Sequence, residues 1–165
     1  MAALYDEVCL QTFPIDAAVD KLMADKGATA LTPEQVKIFL HGDPGRGWTV
    51  PDGDRHFSVT IEMPPYHACS VRRMTPDGFA DLGSYRAVAD RFEAGRDGFS
   101  AMAPYDMDQS DIHSHGVGEQ RRLPGGGGEA LYVFANHVIN PELRAKGNTA
   151  VEVRFVHQIT SPGAK

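Results

Sequence analysis

The sequence predicts an α+β fold in a single domain over residues 1–165, with a helical part over about 3–40 and a sheet core over about 48–159. The sheet is expected to be mostly antiparallel, with about five to six strands. The N-terminal helices and one inserted helix are expected to cover one face of it. Three observations lead to this reading. Apolar residues recur at steps of three and four through the first part of the chain, the period of a helix. From His56 the pattern changes to alternation, the period of a strand with one buried face. The strand-like segments follow one another through short turns, which makes neighbours antiparallel.

Leu4, Tyr5, Val8, Cys9 and Thr12 follow helical spacing, so residues 3–12 read as a short helix with Cys9 on its apolar face. Pro14 suits the first turn of a second helix. Ile15, Ala18, Val19, Leu22 and Met23 form its stripe, and Gly27 ends it. Thr32-Pro33-Glu34-Gln35 is a capping box with proline at the first helical position, and Leu31 and Val36 stand where a hydrophobic staple forms. Val36, Phe39 and Leu40 are expected to face inward. His41 to Gly47 reads as a loop by composition, and Trp48-Thr49-Val50 as a short strand. His56–Met63 alternates strictly, with Phe57, Val59, Ile61 and Met63 on one face, until Pro64-Pro65 stops it. Cys69–Met74 is a third strand, and Thr75-Pro76-Asp77-Gly78 a turn. Leu82, Tyr85, Val88, Ala89 and Phe92 mark a helix ending at Gly95. Residues 97–111 carry no clear period, and 113–123 reads as a strand. Pro124 to Gly128 is a flexible connection. Leu131–Ile139 and Ala150–Ile159 are rich in β-branched and aromatic residues and read as the strongest late strands, separated by a loop with Pro141 and Gly147. This element order resembles profilin-like and sensor-type sheets, a likeness of fold that implies no function. The helix cysteine, the Trp-containing strand and the Cys-Ser-Val strand also resemble small exported bacterial proteins.

Composition narrows the function classes. The chain is 42% hydrophobic and 23% charged, which is globular and not disordered. Its net charge of −6 argues against nucleic acid as a partner, because phosphate-backbone binding needs a basic face. No apolar run approaches the roughly 20 residues of a membrane span. Cys9 and Cys69 are too far apart for a CxxC motif or a cysteine-only zinc site. They are expected to pair as a disulfide, with a reduced buried pair as the alternative. Met1 to Glu7 has neither a basic n-region nor an apolar h-region. That fits a cytoplasmic protein, or an exported one whose signal has been removed. The cysteine pair favours the second, a periplasmic or secreted protein.

The sharpest chemical feature runs from Asp106 to Gly116. If residues 113–115 are extended, His113 and His115 share a face, and Asp108 and Asp111 stand close enough in sequence to complete a metal site. A divalent transition metal is the cofactor this implies. A solvated polar loop without any cofactor is the plainer reading. His137 and His157 both fall on apolar faces. Pairing 139 with 151 puts them at opposite ends of the covered face, beyond the reach of one ion, each hydrogen-bonded to a neighbour. A general-base role is the alternative. The glycines at 125–128 lead into a strand and lack a following Lys-Ser or Lys-Thr, so they are not a phosphate loop. Arg72-Arg73 and Arg121-Arg122 put an arginine on each face of their strands. They would hold an acidic ligand only if those strands were close. Cys9 lacks the frame of a thiol nucleophile.

The leading functional expectation is a small non-catalytic binding or interaction domain, exported, with an unknown protein or small-molecule partner. One alternative is a metal-dependent enzyme using His113 and His115. The other is a cytosolic sensor-like domain holding a ligand against its sheet.

Overall fold

A computed structural model describes residues 1–53, 55–76 and 82–163. Helix α1 (Ala2–Tyr5) runs directly into a π-helical stretch (Asp6–Thr12). Then come α2 (Asp16–Asp25), strand β1 (Thr29–Ala30), α3 (Pro33–Phe39), β2 (Gly45–Asp52), β3 (Arg55–Glu62) and β4 (Tyr66–Thr75). Helix α4 (Leu82–Glu93) follows, then β5 (Ser100–Ala101), β6 (Tyr105–Gln109), β7 (Ile112–Arg122), β8 (Gly128–Val138), α5 (Pro141–Ala145) and β9 (Val151–Thr160). The turn expected at Thr75–Gly78 lies partly outside the described residues.

Every strand pairs antiparallel in one sheet, ordered β1-β2-β3-β4-β9-β8-β7-β5, with β6 also on β7. Nine strands among the described residues exceed the five to six expected. The missed ones are short or lie at edges. Residues 97–111 hold β5 and β6, whose residues are all exposed and so carry no burial alternation. β2 begins at Gly45, inside the expected loop. The segment after β8 winds into α5. That helical turn takes up chain length, so the β8–β9 hairpin pairs His137 with Val151 where 139 with 151 was expected.

The main core lies on the face that carries Val59, Ile61, Cys69, Val71, Leu131 and Phe155. Tyr5, Val8 and Cys9, Met23 of α2, and Tyr85 and Ala89 of α4 cover it. Burying such side chains contributes about 1.5–3 kcal/mol each for the larger aliphatics. Tyr5, Tyr85 and Phe155 form an aromatic cluster at its centre, and the Tyr5 hydroxyl donates to Val156 O at 2.8 Å. The expected disulfide is present: Cys9 and Cys69 are bonded, with Cα atoms 5.4 Å apart. Three residues of the expected apolar faces are exposed instead: Ile15 before α2, Met63 after β3 and Leu82 at the start of α4.

Cover is not confined to one face. The capping box of Thr32 and Gln35 forms as expected and starts α3. This helix lies against the opposite side of the β2–β4 end. Its Val36 and Phe39 are only half-buried, and Leu40 after it is buried. Gly47 belongs to this face, since a Cβ there would meet Leu31 and the Thr60 side chain at under 3 Å. Beneath α3 the polar side chains Ser58, Thr60 and Ser70 are buried, and the hydroxyls of Thr60 and Ser70 are bonded at 2.7 Å. A strand read as half-buried from its apolar alternation is therefore buried on both sides.

Candidate functional site

The opposite face, away from the main core, is where polar and aromatic side chains line up. β4 and β9 are neighbours, and their register sets Arg72 beside Arg154. Both belong to the side-chain row that faces α3 and the open part of the sheet. Arg72 is 6% exposed. Its guanidinium lies over the Phe39 ring at 4.5 Å, and Nη2 donates to Phe39 O at 3.1 Å. Nη1 stands 3.6 Å from a Glu152 carboxylate oxygen. Among the described residues its Nε is buried with no hydrogen-bond partner, and the same holds for Nε of Arg154. Arg154 makes no ion pair among the described residues. Burial, and then the Arg154 charge, push the Arg72 pKa down to about 10 against the pull of Glu152. A buried guanidinium beside a second, half-buried one is unfavourable unless anionic charge offsets it, and Glu152 at 3.6 Å offsets it in part.

A cavity of about 340 Å³ opens here, lined by Phe39, Arg55, His56, Ser58, Arg72, Arg73, Met74 and Glu152. Three arginines against the one carboxylate of Glu152 make its lining basic, although the chain as a whole is acidic; Arg154 stands beside Arg72 and is not part of that lining. Beyond Arg154 the face turns aromatic. Phe134 is the cross-strand neighbour of Arg154, Gly116 of Phe134, and Tyr105 of Gly116. Phe134 meets Tyr132 edge-on at 5.2 Å and Tyr105 at 5.6 Å. Both residues sit close on β7 because it carries glycine opposite them. A Cβ on Gly116 would sit 2.5 Å from the Phe134 ring, and one on Gly118 2.5 Å from Tyr132. A cleft of about 160 Å³ results, lined by Met102, Tyr105, Tyr132, Phe134 and the two glycines among others.

The expected metal residues are partly gathered. His113 and His115 share a face of β7. His113 Nδ1 lies 2.7 Å from Asp108, and Asp106 reaches both His113 and His115, at 3.5 and 3.2 Å. Asp111 is not with them; it accepts from Asn140 Nδ2 at 2.8 Å, ahead of α5. Asp106 takes its place, and His137 packs against His113 with ring centroids 4.9 Å apart. Among the described residues, no three His, Cys, Asp or Glu side chains converge as a metal site requires.

His137 and His157 are far apart along the hairpin, as expected. His157 is buried and hydrogen-bonded at both nitrogens, to Cys9 O at 2.6 Å and to Glu129 at 2.8 Å. Arg121 also holds Glu129, which places it in this network. Arg72 and Arg121 do not share a site, because β9 and β8 separate β4 from β7. Arg154 was not singled out from the sequence. The available signal was a charged residue between Val153 and Phe155 in a strand otherwise rich in apolar positions. Comparison with protein-family models, curated proteins and solved structures finds no match to this chain.

Proposed function

We propose that this chain is a non-catalytic binding domain, exported to an oxidising compartment, whose ligand is a small anion held between Arg72 and Arg154. The carrying observation is a pair of cross-strand arginines, each with a buried Nε that lacks a hydrogen-bond partner among the described residues, one of which, Arg72, lines a cavity whose one carboxylate is Glu152. Guanidinium groups are planar donor forks that match carboxylate or phosphate, and they take up no proton at neutral pH. Recognition is the chemistry they supply. The cavity volume lies in the range of small-molecule sites. The Cys9–Cys69 disulfide supports the exported compartment. No helix among the described residues is long and apolar enough to cross a membrane.

Thermal melting in inorganic phosphate and in acetate tests the reading, with potassium chloride at matched ionic strength as control. A bound anion raises the melting temperature of the wild-type chain through linkage. Arg154→Gln is the informative variant, since Arg154 is only half-buried and, among the described residues, makes no ion pair whose loss would unfold the domain. At least one of the two anions is expected to stabilise wild type and not the variant. Equal shifts in both proteins, or none in wild type, overturn the reading.

A further inference from the structure

We infer that the anion carries one aromatic ring on a short linker, and that this ring lies in the cleft between Tyr105, Phe134 and Tyr132. The inference rests on the arginine reading and names the class of ligand. Three features support it. The first is continuity: Arg72, Arg154, Phe134 and Gly116 follow one another across four adjacent strands on the same face. Neighbouring strands are about 4.8 Å apart, so the row spans about 14 Å from Arg72 to Gly116, with Arg154 a single strand spacing from Phe134.

The second feature is size. The cleft measures about 160 Å³, and an apolar cavity of about 150 Å³ takes a benzene ring. The third is the build of the floor. Gly116 leaves room for the Phe134 ring to pack onto the β7 backbone, and Gly118 lets the Tyr132 Cβ approach the same strand. Tyr105 is 37% exposed at the rim, and aromatic pairs at such spacing favour edge-to-face or offset contacts with a further ring. The Tyr132 hydroxyl is already bonded to Gln158 at 3.2 Å, which fixes its ring. A charged end and an aromatic end on one face therefore select a ligand with both.

Titration calorimetry with phenylpropionate, hexanoate, acetate and the uncharged phenylpropanol separates the two claims. Phenylpropionate is expected to bind wild type about thirtyfold tighter than acetate, the gain of burying one ring. It is also expected to exceed hexanoate and phenylpropanol. In Tyr105→Ala the phenylpropionate-to-acetate ratio falls at least about fivefold. In Arg154→Gln both anions are lost. If acetate binds and phenylpropionate gains nothing over it, or hexanoate binds as well, the aromatic inference fails and the anion site stands. If phenylpropanol binds as tightly as phenylpropionate, the anion reading itself fails. Should no anion bind, both fail.

Discussion

His157 shows how one side chain is committed by its partners. Its Nδ1 is held by Cys9 O and its Nε2 by a Glu129 carboxylate oxygen, so both ring positions are fixed. Arg121 closes the group from the other side. Burial drives the Glu129 carboxyl upward, but the hydrogen bonds from His157 and Arg121 outweigh it and hold the group below the usual carboxylate range. A carboxyl lowered on folding adds stability above its unfolded pKa, and that stability is lost as pH falls through the folded value. The chain is therefore expected to lose melting temperature on acidification below about pH 4.5. Glu129→Gln should melt lower at neutral pH and show a shallower acid slope, measured by circular dichroism across a pH series. Glu62 acts in the opposite sense. Burial and then Asp43 raise its carboxyl, so ionising it costs stability as pH rises. The paired histidine was readable as a hydrogen-bonded core residue because it shares parity with Val153 and Phe155. Glu129 as its partner was not, since nothing in the sequence aligns residues from different strands until the register is known.

Among the elements, the longer periodic ones were legible and the short ones were not. α4 buries Tyr85, Val88, Ala89 and Phe92 as its spacing predicts. The capping box of α3 is present to the residue. β6 was hidden because no face of Tyr105–Gln109 is buried. The start of β2 read as a loop because it is glycine-rich, and Gly47 is there to let Leu31 and Thr60 press close. The N-terminal segment is the clearest case of an element fastened to the sheet. The disulfide joins it to β4, and the Tyr5 hydroxyl and Cys9 carbonyl join it to β9. Closing a loop with sequence separation 60 is worth about 4 kcal/mol in the chain-entropy model. Cys69→Ser is expected to lose about that much stability in denaturant unfolding. Adding reductant to wild type should give a similar loss, and adding it to the variant none.

At the scale of the whole molecule, the α+β class, the antiparallel sheet and the main core followed from the sequence, and the second face did not. Alternation reports which side of a strand is apolar. It is silent on a side that is polar and buried, as Ser58, Thr60, Ser70 and Arg72 are. The arginine pair escaped for the same reason and one more. Arg72 and Arg154 come from opposite halves of the chain and meet only through β4–β9 pairing. Among the described residues that ladder is the one seam between a block of β1 to β4 and a block of β5 to β9. Amide hydrogen exchange makes the seam visible. Neither block can part from the other without opening it, so the backbone amides of β4 and β9 are expected to exchange last, at the rate of global unfolding, while those of β5 and β6 exchange early. An anion gripping Arg72 and Arg154 bridges the two strands, and protection gained on binding should concentrate on this central ladder and leave the sheet edges unchanged.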